Sequence, residues 1–92
     1  MPERTATIAS RSGLHARPAA PFAEAAGDVG VDVTIAREGE PADDALDASS
    51  ILSLMTLGAS QGDVVVLRAE GDGADAALDS LVKLLETDLD AV

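Results

Sequence analysis

The sequence predicts an α+β domain with helices packed on one face of a mainly antiparallel sheet. Three observations carry this expectation. Val31, Val33 and Ile35 alternate with Asp32, Thr34 and Ala36, the period of a half-buried strand. Val64-Val65-Val66-Leu67 is an unbroken, largely β-branched run suited to a central strand covered on its inner face. Ala74, Leu78, Leu81, Val82, Leu85 and Leu89 recur at the i, i+3, i+4, i+7 spacing of an amphipathic helix. The elements between these run in the order strand, helix, strand, strand, short helix, strand, helix, which suits helices gathered on one side of a sheet.

Taken in chain order, Arg4 to Ala9 reads as the first strand, with Thr5, Thr7 and Ile8, and stops at the turn cluster Ser10-Arg11-Ser12-Gly13. From Ala16 to Ala26, Ala19, Phe22, Ala23 and Ala26 fall on one helical face. Pro18 sits in the first turn, where a missing N–H costs nothing, and Gly27 is placed as a stop. The stretch from Glu38 to Asp44 is acidic and turn-rich, and Ala45-Leu46-Asp47-Ala48 is at best a short edge strand. Ser49 or Ser50 can cap a short helix through Leu57 that Gly58 closes, with Ile51, Leu54, Met55 and Gly58 along one side. Gly62-Asp63 leads into the strand Val64 to Glu70. Asp72 and Gly73 open the last helix, where Asp75 and Asp79 lie near the positive end of its dipole.

Composition bounds the function. Ninety-two residues support one domain, 1–92, with a single core and no deep enclosed site. Of the 47% hydrophobic residues, eighteen are alanine, and Phe22 is the only ring. The absence of cysteine removes disulfides, thiolate nucleophiles and cysteine zinc sites, and one histidine cannot build a histidine cage, so no metal and no cofactor are expected. Neither a signal peptide nor a membrane span is evident, so the expectation is a cytoplasmic protein without membrane insertion. A net charge of -11 repels phosphate backbones and anionic lipid, which argues against nucleic acid. Eleven acids are Asp and Lys83 is the only lysine, a balance that resembles proteins of salt-loving organisms; an ordinary acidic protein kept soluble by self-repulsion is the alternative.

Chemistry concentrates at Ser12-Gly13-Leu14-His15-Ala16-Arg17-Pro18-Ala19, where the lone histidine precedes a helix start. A side chain there projects beside the free N–H groups of the first turn, which with the dipole favour an anion. Arg17 can offer a forked donor to phosphate oxygens, and Gly13 lets the turn approach without a Cβ. Imidazole is nucleophilic near neutral pH, and the P–N bond it forms is labile enough to pass a phosphoryl group on. Read alone, the same residues could equally be a helix cap and a solvated arginine.

Gly13-Leu14-His15-Ala16-Arg17-Pro18-Ala19 closely resembles the active-site signature of the HPr family, the histidine phosphocarriers of the phosphoenolpyruvate-dependent sugar phosphotransferase system. Ser50-Ile51-Leu52-Ser53-Leu54-Met55-Thr56-Leu57-Gly58 is similar to that family's regulatory-serine segment and short second helix. The resemblance implies an open-faced β-sandwich, a four-stranded antiparallel sheet with three helices on one face (βαββαβα). It implies phosphorylation of His15 on Nδ1 by phospho-Enzyme I and transfer to an EIIA partner, with Arg17 steadying the group and Ser12 a candidate phosphoryl contact. Ala20, Ile51, Leu52 and Met55 would form the docking surface; otherwise Leu52 and Met55 would be core residues. Ser50 matches the regulatory serine, with a plain helix cap, shared with Ser49, as its alternative. The implied protein is a stoichiometric carrier, not an enzyme, and a monomer.

Two departures stand out. Glu24 and Ser49 occupy positions often lysine in relatives, so this carrier should need high ionic strength, or a partner with matching basic spots, for transfer. The acidic stretch from Arg37 to Asp47 carries a few extra residues, and the third strand should be irregular. Competing functions are a binding module on the same fold that does not use His15, and a small hydrolase with His15 as base and Ser12 or Ser10 as nucleophile, which residues so close in one turn cannot easily support. Asp43, Asp44 and Asp47 lack calcium-loop spacing and read as solvated charge. The sugar served stays open.

Overall fold

The computed structural model describes residues 2–9, 16–40 and 45–87, the side chains of 16–18 excepted. Within them lie β1 (Glu3–Thr7), α1 (Ala16–Asp28), β2 (Val33–Arg37), β3 (Leu46–Asp47), α2 (Ile51–Leu57), β4 (Val64–Ala69) and α3 (Ala74–Leu85). The sheet runs β1-β4-β2-β3, and every neighbouring pair is antiparallel. This is the expected open-faced arrangement, with β4 and β2 central and the two-residue β3 at an edge.

Alternation sorts the strand residues between two faces. Register places Arg4, Leu67, Ile35 and Leu46 in one row across all four strands, and Glu3, Arg68, Thr34 and Asp47 in the next. The first row faces the helices: Ile35 and Leu67 are fully buried and join Ala6, Val33, Val65 and Ala69 in the core with residues of all three helices. The second row faces away, and there Arg68 Nε donates to Glu3 Oε2 at 3.0 Å.

α1 buries Ala19, Phe22, Ala23 and Ala26, the face that the spacing predicts. It passes through Gly27, the expected stop, to Asp28. Small glycine costs a helix only about 1 kcal/mol against alanine, so burial of Ala23 and Ala26 on the same turns outweighs it. Pro21 also lies inside α1. It has no N–H for the carbonyl of residue 17, which leaves the start of this helix more dependent on packing. α3 buries Ala74, Ala77, Leu78, Leu81 and Leu85; Leu89, read as part of the same face, lies outside the described residues. β1 runs from Glu3 to Thr7 and not from Arg4 to Ala9. Ile8 and Ala9 leave the ladder because their N–H groups turn to the carbonyls of Asp63 and Leu85, each at 2.9 Å.

In the short helix Ile51, Leu54, Met55 and Gly58 lie along one side as the spacing predicts, but that side is not the buried one: Leu54 and Leu57 are the buried residues, while Ile51 and Met55 are about half exposed. Seven residues make two turns, and only one of their faces can meet the core.

Candidate functional site

The chain approaches and leaves the Ser12 to His15 segment through fixed points. On one side Ile8 is clamped by the Asp63 carbonyl and by Gly62 N–H, which donates to the Ile8 carbonyl at 2.9 Å. Gln61 Nε2 donates to the Ala9 carbonyl at 3.2 Å. On the other side α1 starts at Ala16, and Ala19 is wholly buried one turn later. Ser12 and His15 lie outside the described residues, as do Asp43 and Asp44. Arg17 falls in the first turn of α1, its side chain likewise outside them. That turn carries no acidic residue, although the chain holds seventeen. The first-turn amides and positive dipole end of α1 are therefore not neutralised by a carboxylate from that turn.

The second region is α2. Ser50 is its N-cap, with φ -102° and ψ 117°, and its Oγ accepts from Ser53 N–H at 3.3 Å. Ser49, the other candidate cap, instead bonds Asp47: its N–H and Oγ donate to Oδ1 at 2.9 and 2.7 Å. Those two bonds hold the Asp47 carboxyl below its ordinary range, the hydroxyl contributing most. At the far end Gly58 adopts the left-handed conformation, φ 64°, and its N–H returns to the Leu54 carbonyl. Leu52 is 78% exposed, Met55 46% and Ile51 44%, the only large hydrophobic side chains in the open among the described residues. Ala20 is exposed on α1, against which α2 packs. Leu52 and Met55 are thus not core residues, and with Ile51 they leave an apolar patch on a helix whose buried side holds just two leucines.

Chain-wide comparison gives this arrangement its family. The sequence matches, over residues 2–87, the family described as "PTS HPr component phosphorylation site". The chain belongs to the HPr family. Its phosphocarrier relatives include phosphocarrier protein HPr of Haloferax volcanii, 46% identical over 85 residues that cover 92% of this chain and 93% of the relative. The HPr of Streptomyces coelicolor is 43% identical over 91 residues, 98% of this chain and 94% of its own. Among solved structures, the HPr of Bacillus anthracis superposes with a TM-score of 0.81 at 28% identity, covering 91% of this chain and 95% of that one. The HPr family is one of phosphocarriers of the phosphotransferase system.

One residue beside this apolar patch was not anticipated from sequence. The guanidinium of Arg37, at the end of β2, donates from Nε and Nη2 to the Leu57 carbonyl at 3.1 and 3.0 Å, and from Nη2 to the Gly58 carbonyl at 2.8 Å. The signal was present: Arg37 continues the inward parity of Val33 and Ile35, so its side chain had to leave the sheet on the helix side. Among the described residues no group of His, Cys, Asp or Glu could hold a metal ion, and no helix is long and apolar enough to cross a membrane.

Proposed function

We propose that this chain carries a phosphoryl group on His15, accepting it from phospho-Enzyme I and passing it to an EIIA component for sugar uptake. The observation that carries this reading is the match to a family defined by its phosphorylation site, in a chain whose only histidine is His15. In the first step the bond from phosphorus to the donor breaks as a bond to Nδ1 of neutral His15 forms; in the second that P–N bond breaks as a bond from phosphorus to a nucleophile of EIIA forms, and His15 leaves as the neutral imidazole. The phosphohistidine sits next to a helix start free of first-turn acids, and Arg17 can balance its negative charge with a forked pair of donors. Ser12 is a further hydroxyl for the phosphoryl oxygens. Ala20, Ile51, Leu52 and Met55 serve as the surface on which both partners dock in turn, so that donor and acceptor compete for it.

Intact mass after incubation with phosphoenolpyruvate and Enzyme I from the same source tests this. Wild type gains one phosphoryl group that mild acid removes, and His15→Ala gains none; equal gain by both proteins defeats the proposal. Running the reaction at low and high salt tests the electrostatic expectation. Transfer should hold or improve as salt rises, and a steep fall would mean that attraction to the partner outweighs the repulsion of a chain at -11.

A further inference from the structure

α2 has little of its own to hold it in place. A helix of seven residues is too short to persist by propensity. Only Leu54 and Leu57 are buried, and the last turn carries no basic residue to meet the negative end of its dipole. Arg37 supplies that charge from a different element. Its planar fork spans the carbonyls of Leu57 and Gly58, two charge-assisted acceptors that a helix end leaves without intrahelical partners. The third nitrogen, Nη1, lies 3.8 Å from Asp63 Oδ2. That same oxygen accepts from Ser60 N–H at 2.9 Å and so fixes the turn between α2 and β4. Arg37 itself is paired in the ladder opposite Val65 of β4, a fully buried residue. A strand paired within the sheet thus holds the end of the helix through one side chain.

We infer that Arg37 is a positioning residue for partner docking, holding the C-terminus of α2 so that Ile51, Leu52 and Met55 are presented in one fixed orientation beside α1. This rests on the phosphocarrier reading above. Arg37 touches neither the phosphoryl group nor, on this argument, the partner. Its removal should leave the chemistry at His15 alone and loosen the surface that brings the partner to it. Lysine at the same position offers a single point charge and cannot bridge both carbonyls with the same geometry.

The test is steady-state phosphoryl transfer from Enzyme I and to EIIA, with wild type, Arg37→Ala, Arg37→Lys and Leu52→Ser each varied in concentration. For Arg37→Ala, KM should rise about three- to tenfold for both partners with kcat unchanged, the size expected when a contact outside the interface is coupled to it. Arg37→Lys should recover part of that loss. In amide exchange, Arg37→Ala should release protection at Gly58 while the β4 amides keep theirs, which separates a loosened helix end from general unfolding. Leu52→Ser checks the docking face directly. If it raises KM and Arg37→Ala, folded and with released Gly58, does not, the inference about Arg37 is overturned while the docking face stands. If His15→Ala is still phosphorylated, the phosphocarrier reading itself has failed. A fall in kcat at unchanged KM in Arg37→Ala would place its effect on the chemistry and also overturn the inference.

Discussion

α2 and α3 lie over the same sheet and spend their apolar residues in opposite ways. α3, twelve residues long, turns Ala74, Ala77, Leu78, Leu81 and Leu85 inward and keeps polar side chains outside. α2 turns Leu54 and Leu57 inward and exposes three large hydrophobic side chains. What replaces the missing burial also differs. α3 is tied on its surface by Arg4, whose guanidinium donates to Asp79 and Asp75 at 3.1 Å each and is held further in its charged form by them. α2 is tied at its two ends, by Ser50 and by Arg37, leaving its outer side free. Apolar side chains left on the outer surface cannot also hold a helix to the core, and bonds at its two ends supply part of what α2 lacks in burial.

The largest effect that sharpens the contrast is a core deletion in α3. Leu81→Ala empties a fully buried site and should cost about 2–5 kcal/mol in urea unfolding, whereas Leu52→Ala, at 78% exposure, should change stability by less than about 0.5 kcal/mol. A Leu52→Ala cost near that of Leu81→Ala would make α2 a structural helix like α3 and remove the contrast. Next in size is Gly58→Ala. At φ 64° a side chain is strained by about 1–2 kcal/mol, and the new Cβ would meet Arg37 Nη2 at 3.6 Å, ordinary contact. Urea midpoints should therefore show the backbone strain without a steric clash on the arginine.

Sequence patterns reveal α3 and hide half of α2 for a physical reason. Leu78, Leu81 and Leu85 repeat because one continuous core selects them, so period and burial agree. In α2 two sets overlap: Leu54 and Leu57 face the core, Ile51, Leu52 and Met55 face outward, and the side shared by Ile51, Leu54 and Met55 straddles the boundary between them, so its period does not mark the buried face. Only the resemblance of the whole segment to a family separated them. Gly58 was legible as the closing residue because it answers a local demand, and the cap was narrowed to Ser49 or Ser50, of which the structure selects Ser50. Strand parity points the Arg37 side chain to the helix side, but its partners were not legible, because the three hydrogen bonds it donates reach across about twenty residues of chain. Ala36 and Val66 illustrate the same limit on the sheet: both are at most 8% exposed, yet they sit in register on the face away from the helices.

Ser50 offers a smaller test of how the first end of α2 is held. Its hydroxyl accepts from Ser53 N–H at 3.3 Å, a long bond, so Ser50→Ala should cost about 0.5–1 kcal/mol, the low end for a lost N-cap. A serine kept for modification alone would cost nothing on replacement. Treatment with a serine kinase that modifies wild type and Ser50→Ala equally would count against a regulatory phosphate at this cap.

The smallest effect concerns the lead-in to that cap, where Asp47 accepts both the hydroxyl and the backbone N–H of Ser49. α3 has no counterpart, since its N-cap Gly73 makes no side-chain bond. The two bonds favour the ionised carboxyl, so its folded value lies below the ordinary 3.8. Because the unfolded chain takes up the proton first as pH falls, the stabilisation is fully present above 3.8 and is lost as pH drops through the lower folded value. Nothing should change near neutrality, and solvent screening at this exposed site keeps the effect small. Carboxyl carbon shifts of Asp47 followed by NMR should titrate below 3.8 in wild type. In Ser49→Ala, which keeps the backbone donor and removes the stronger hydroxyl bond, the midpoint should move most of the way back up. An unmoved midpoint would show that the turn before α2 stands without the hydroxyl, leaving Ser50 and Arg37 to hold the helix that the sheet itself barely grips.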